Sequence, residues 1–252
     1  MLRKRLIPVL VLRDGTVVRS VAFTHTNVIH WKPLTAVDFF NRWAVDEIVL
    51  LDVSRERGAR ARFHEVIEGL SRKCFVPLTV GGWVTDVDEV RRLLRLGADK
   101  VVINTEAVRR PALLTECAHA FGSQCVVVGI DVRRRADGTP EVWIDRGREA
   151  TGLEATAWAR EAERHGAGEV FLTSIDHEGG GRGYDLALVR GVVDAVSIPV
   201  IAFGGVFTWR HLVDGVVVAG ADAVAAANVF HFTEHSTRKA KDFMRQEGVD
   251  VR

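Results

Sequence analysis

Two pairs of adjacent glycines, Gly81-Gly82 and Gly204-Gly205, each stand between a short apolar run and a helical pattern. Glycine there lets backbone N–H groups come close to a ligand, and the helix N-terminus that follows favours an anion. Polar residues capable of chemistry close several other apolar runs: Asp52, Asn104-Thr105, Asp131, Ser174 with Asp176, and Asn228. The opposite ends of the runs carry alternating charges, Arg5, Glu47, Lys100 and Glu169. A metal centre is not expected. His25, His30 and His177 match no common ligand spacing, and Asp131 with Asp176 is too small a set. Cys74, Cys117 and Cys125 lie scattered outside any nucleophile turn, as buried, reduced thiols of a cytoplasmic protein would. No cofactor motif is evident.

The elements that must position these residues repeat along the whole chain. Apolar runs at Leu6–Leu12, Ile48–Asp52, Leu78–Gly81, Val101–Asn104, Val126–Asp131, Val170–Ser174, Val200–Phe203 and Ala223–Ala227 read as strands. They are continuously apolar, as parallel strands buried on both faces must be. Amphipathic segments such as Val87–Leu96 and Gly152–His165 alternate with them, giving βαβ units. Eight units without a linker or compositional break predict one closed (β/α)₈ barrel over residues 1–252. In that fold the site lies at the carboxyl ends of the strands.

An internal repeat supports this reading. Thr79-Val-Gly-Gly-Trp-Val-Thr85 recurs as Ala202-Phe-Gly-Gly-Val-Phe-Thr208. Gly97-Ala-Asp99 recurs as Gly220-Ala-Asp222, and Asp14-Gly15 as Asp137-Gly138, all at an offset of 123. Such a period suits two half-barrels, about 1–122 and 123–252, rather than a solenoid. Each half also inserts a hairpin after its first strand, near Thr16–Phe23 and Glu141–Gly147.

Composition narrows the partners. The chain is 252 residues long, 47% hydrophobic and 27% charged, with a net charge of +1. No clustered basic excess points to nucleic acid. The basic start is followed by only seven apolar residues before Arg13-Asp14-Gly15, a first strand rather than a signal peptide, and no run is long enough to span a bilayer.

Many further motifs occur in a characteristic order: Arg5-Leu-Ile-Pro8, Leu51-Asp-Val53, Gly97-Ala-Asp-Lys-Val-Val-Ile-Asn-Thr105, Gly129-Ile-Asp-Val132, Leu172-Thr-Ser-Ile-Asp176 and Gly183-Tyr-Asp185. With them the chain resembles, nearly end to end, the cyclase subunit of imidazole glycerol phosphate synthase. The resemblance implies two aspartates as general acid and base in closing an imidazole ring. Asp131 matches one of them; Val11 stands at the other. It also implies phosphate or substrate binding by Arg19 (a lysine in the family), Gly81, Gly82, Asn104, Thr105, Asp176, Gly204, Gly205 and Asn228. Departures crowd that mouth. Trp83 replaces a third glycine and should narrow an anion pocket, Gly180 replaces a threonine, and Phe203 and Asn228 replace hydroxyl residues.

The resemblance further implies an ammonia gate formed by Arg5, Glu47, Lys100 and Glu169, and a glutaminase interface that includes Asp99 and Gln124. Three readings stay open. The first is a subunit that takes ammonia from a partner glutaminase and passes it to a phosphorylated or sugar acceptor, or to a third enzyme, outside histidine synthesis. Around Leu10–Gly15 the chain is similar to family members that lack the first aspartate and serve in this way. The second is an active cyclase of histidine biosynthesis with a rearranged site. The third is a scaffold barrel whose charged ring merely closes its end.

Overall fold

The computed structural model describes residues 3–35, 40, 45–56, 58–230 and 236–252. Eight parallel strands close a barrel: β1 (Arg5–Arg13), β4 (Ile48–Asp52), β5 (Leu78–Gly81), β6 (Lys100–Ile103), β7 (Val126–Arg134), β10 (Glu169–Ser174), β11 (Val200–Phe203) and β12 (Ala223–Ala226). They pair in that order, β12 returns to β1, and β7 pairs with β10 from Glu169↔Val127 to Ser174↔Val132. All six residues of β10 are buried, as a strand covered on both faces must be, and its middle, Val170-Phe-Leu172, is continuously apolar.

Eight helices follow these strands among the described residues: α1 (Ala59–Ser71), α2 (Val87–Arg95), α3 (Thr105–Arg109), α4 (Ala112–Phe121), α5 (Ala155–Arg164), α6 (Leu186–Ala195), α7 (Trp209–Val217) and α8 (Ser236–Gln246). Helix α2 shows why the sequence turns where it does. Asp86 caps it by accepting the Glu89 N–H, acidic Asp88 and Glu89 occupy its first turn, and Arg92 and Arg95 its last, complementing the helix dipole. The segment read from sequence as a helix from Gly152 instead continues a strand to Glu154. The Glu154 carboxylate caps α5 by accepting from Thr156 and Ala157 N–H groups, which moves the helix start to Ala155.

Two antiparallel hairpins extend the sheet. β2 (Thr16–Val21) and β3 (His25–His30) continue β1, while β8 (Pro140–Ile144) and β9 (Glu149–Glu154) continue β7. Their tips match in backbone conformation. Ala22 and Phe23 have φ of 48° and 60°, and Asp145 and Arg146, 123 residues on, have 49° and 60°. The repeat seen in the sequence therefore extends to left-handed turn residues that share no side-chain chemistry.

The core is double. One apolar layer lies between barrel and helices, with Leu50, Phe63, Ile103, Leu172 and Leu212 among its members. The second fills the lumen: Ile7, Val9, Val49 and Val127 are wholly buried, and above them Phe171 and Phe203 meet with ring centroids 5.2 Å apart. The barrel is a packed core rather than a pore.

Candidate active site

At the carboxyl ends of the strands, Asp131 on β7 accepts a hydrogen bond from Asn104 Nδ2 at 3.0 Å. Asn104 sits at the end of β6, where it precedes α3. Burial raises the Asp131 pKa to about 6, with bonds from Thr173 and Asn104 holding it down and the Glu178 charge adding to the rise. A half-buried carboxyl of that acidity can exchange protons near neutral pH. Val11, in contrast, is 8% exposed and packs in the lumen cluster with Phe203 and Leu51. It contributes shape only.

The turn after β5 is filled. Trp83 takes a left-handed backbone conformation, φ 61°, and its indole Nε1 donates to Asp52 Oδ2 at 2.7 Å. Burial raises the Asp52 pKa, partly offset by donors from Ser54 and Trp83. Gly82, at φ 127°, is required for a packing reason: a Cβ there would lie 2.8 Å from the Asp52 carbonyl oxygen. Its counterpart Gly205 approaches the Gly183 carbonyl so closely that a Cβ would fall 2.2 Å from it. Gly81 and Gly204 precede them in the same two turns.

Other residues expected at a ligand have partners inside the protein. Thr105 Oγ1 accepts from Asp145 N at 3.0 Å, tying the second hairpin to the β6 turn. Asp176 accepts the Arg134 N–H at 2.9 Å and lies 3.8 Å from Arg133 Nε. Arg19 is exposed on β2, its charge acting on Glu178. Asn228, after β12, has a buried Oδ1 without a hydrogen-bond donor. That orphan acceptor matches a ligand hydroxyl or amine better than a phosphate oxygen.

The sequence placed the two hairpins but not the contacts their tips make. Glu178, buried beyond β10, accepts from Ser20 Oγ at 3.1 Å and Phe23 N at 3.4 Å. From the other side, Gly147 lies so near Phe23 that a Cβ on it would sit 3.0 Å from that ring. The two tips thus meet over the mouth. Arg146 lies over the Trp83 ring, 5.7 Å from its centroid, and Arg133 over Trp143 at 4.6 Å.

At the amino ends the four alternating charges form a closed ring. Arg5 Nη1 bonds Glu47 Oε2 at 2.8 Å, and Arg5 Nη2 bonds Glu169 Oε1. Lys100 Nζ reaches Glu169 Oε2 at 2.8 Å and Glu47 Oε2 at 3.1 Å, while Thr79 Oγ1 donates to Glu47 at 2.6 Å. Both glutamates are buried. Asp99 is exposed on this face, yet its Oδ2 accepts the Leu78 N–H at 2.8 Å and secures the start of β5. Gln124 is exposed just before β7.

A closed (β/α)₈ barrel with a buried carboxyl of raised pKa and glycine-bearing βα turns at the carboxyl ends of its strands defines the class: a (β/α)₈ barrel whose candidate site lies where this fold builds its sites. Comparison with known families is specific. The chain belongs to the histidine biosynthesis protein family, which matches residues 5–236. Among the described residues no three His, Cys, Asp or Glu side chains converge as a metal centre requires, and no helix is long and apolar enough to cross a membrane.

Proposed function

We propose that this chain is the ammonia-receiving, cyclase-type subunit of a glutamine amidotransferase. A separate glutaminase docks on the amino face, and nitrogen leaves at the opposite mouth for a phosphorylated or sugar acceptor, or a third enzyme, outside histidine synthesis. The ring of Arg5, Glu47, Lys100 and Glu169 carries this reading. Buried ion pairs are weak contributors to stability because desolvation offsets their attraction, so stability alone is a poor reason to keep four of them. They stand where the barrel opens to its amino face, and the lumen beyond is apolar, a medium that admits neutral ammonia far more readily than ammonium. Passage requires the Phe171–Phe203 pair to shift, since it occupies the route to Asp131.

The mouth supports the departure from histidine synthesis. Ring closure in the resembling family calls on two carboxylates, and Val11 leaves only Asp131. Three cysteines without a disulfide fit a reducing cytoplasm. The test is co-expression with a co-encoded glutaminase, followed by glutamine hydrolysis with and without the barrel. Stable association and stimulated hydrolysis are expected; neither appearing would sink the reading.

The second reading, an active imidazole glycerol phosphate cyclase, draws on the Asp131 pKa of about 6. Turnover of the unmodified chain with saturating ammonia at about 1–10 per second would put it first.

A further inference from the structure

The two hairpins over the mouth are related by the internal repeat but are held unequally. The β8–β9 hairpin is tied to the barrel at several points: Asp145 N donates to Thr105 Oγ1, Arg146 lies over the Trp83 ring, and Glu149 accepts from Arg109 Nη2 at 2.8 Å. The β2–β3 hairpin has less support. β3 pairs with β2 alone, and its His25, Asn27 and Val28 are exposed. A two-stranded ribbon of this kind is only marginally stable in water by itself. Among the described residues, every hydrogen bond from its tip to the rest of the barrel ends on Glu178.

Three such bonds are made. The Glu178 carboxylate accepts from Ser20 Oγ at 3.1 Å and from Phe23 N at 3.4 Å, and its carbonyl oxygen accepts from Ala22 N at 3.0 Å. Glu178 is itself placed by β10, because its N–H donates to the Ser174 carbonyl at 3.0 Å. Gly179 lets the ribbon come this close: a Cβ there would lie 2.3 Å from the Ser20 carbonyl oxygen. Both residues at the tip are strained. Ala22 and Phe23 hold left-handed backbones, φ 48° and 60°, which non-glycine residues keep only where their surroundings impose them. The tip therefore has a local reason to leave once its contacts are lost. It closes beside the acid–base carboxyl, since the Glu178 charge acts on Asp131.

We propose that Glu178 is a latch that holds the β2–β3 hairpin shut against the β8–β9 hairpin, and that access to Asp131 requires this latch to open. The better-anchored β8–β9 hairpin is the fixed seat, with Gly147 receiving the Phe23 ring, and β2–β3 is the moving arm. Glu178 is thus a positioning residue. The latch is independent of the ammonia reading, because it lies at the opposite end of the barrel and needs no glutaminase.

Hydrogen–deuterium exchange of the full chain, read by mass spectrometry, tests it. In Glu178→Ala the amides of residues 16–30 should exchange about ten-fold faster than in the parent, the effect of losing hydrogen bonds to a charged acceptor. Amides of residues 140–154 and of β7 should keep the parent's rates. Glu178→Gln retains an acceptor oxygen and should restore slow exchange in the arm. Parent-like exchange of residues 16–30 in Glu178→Ala overturns the latch. Faster exchange spread evenly over the barrel strands overturns it too, since Glu178 would then support the whole fold. Should Glu178→Ala fail to fold, Ser20→Ala removes one donor from the arm: exchange about three-fold faster there supports the latch, and parent-like exchange overturns it. Glutaminase stimulation by Glu178→Ala should match the parent chain, so failure of the latch and failure of the amino-face reading are told apart.

Discussion

Asn104 and Asp131 face each other across adjacent strands β6 and β7, joined by a 3.0 Å hydrogen bond from the amide Nδ2 to the carboxyl Oδ2. The bond favours the ionised form, but burial outweighs it and lifts the Asp131 pKa from 3.8 to about 6. An acid whose pKa rises on folding binds its proton more tightly in the native state. Its contribution to stability is therefore full below pH 4, falls as pH rises to about 6, and is flat above that. The span corresponds to about 3 kcal/mol. Asp131→Asn should abolish this fall and equal or exceed the parent's stability at pH 7. Urea unfolding at pH 4 and pH 7 measures it. An unchanged pH slope in the variant would place the titrating group elsewhere.

The amino-face ring yields a prediction of opposite sign. Glu169→Gln leaves Arg5 and Lys100 facing only Glu47, with one cation short of a full partner in a mostly buried setting. Breaking a buried pair from one side costs about 3–5 kcal/mol. The partial exposure of Lys100, 21% of its side chain, reduces the expected loss to about 2–3 kcal/mol by solvent screening. Denaturant midpoints of the two proteins decide it. A loss below about 0.5 kcal/mol would mean that the ring is solvated and not a closed barrier.

The proposed docking on the same face can be separated from folding at Asp99. Its carboxylate holds the Leu78 N–H, so Asp99→Ala would cost about 1 kcal/mol at the start of β5 besides any effect on a partner. Asp99→Asn keeps an acceptor for that N–H and removes only the charge. We expect Asp99→Asn to retain the parent's melting temperature and to bind the glutaminase about ten-fold more weakly by calorimetry. Parent-like affinity in Asp99→Asn would remove Asp99 from the interface.

Much of this was legible in the sequence, and the parts that were not share a cause. The eight strands announced themselves because burial on both faces enforces apolar runs, as in Val200–Phe203. The ring was visible as charge at strand starts, because register places those residues at one level. Side-chain commitments at the mouth were not visible. Nothing in Trp83-Val-Thr85 says that the indole reaches Asp52, thirty-one residues earlier, and nothing at Thr105 reveals Asp145 as its donor. Those contacts depend on how hairpins lean over a closed barrel, and no local periodicity encodes that.

Val11 provides the last prediction. Its side chain lies in the lumen cluster beside Phe203 and Leu51, with 8% of its surface exposed. A carboxylate placed there by Val11→Asp has no hydrogen-bonding side chain within that cluster, so the variant should lose about 2–4 kcal/mol at pH 7. Burial would raise the new group's pKa, and the loss should shrink as pH falls toward 4. Supplying the second aspartate that the resemblance to the cyclase subunit implies is not expected to produce ring closure. Trp83 still fills the β5 turn, Phe203 still stands where the resemblance to the cyclase subunit implies a hydroxyl residue, and misplacing a substrate by about 1 Å costs on the order of 100-fold. Imidazole glycerol phosphate formation under saturating ammonia, followed for the parent and for Val11→Asp, gives the answer. Both should show negligible turnover. A gain to about 1 per second in Val11→Asp would show that the missing carboxylate alone had silenced a cyclase whose phosphate sites are intact.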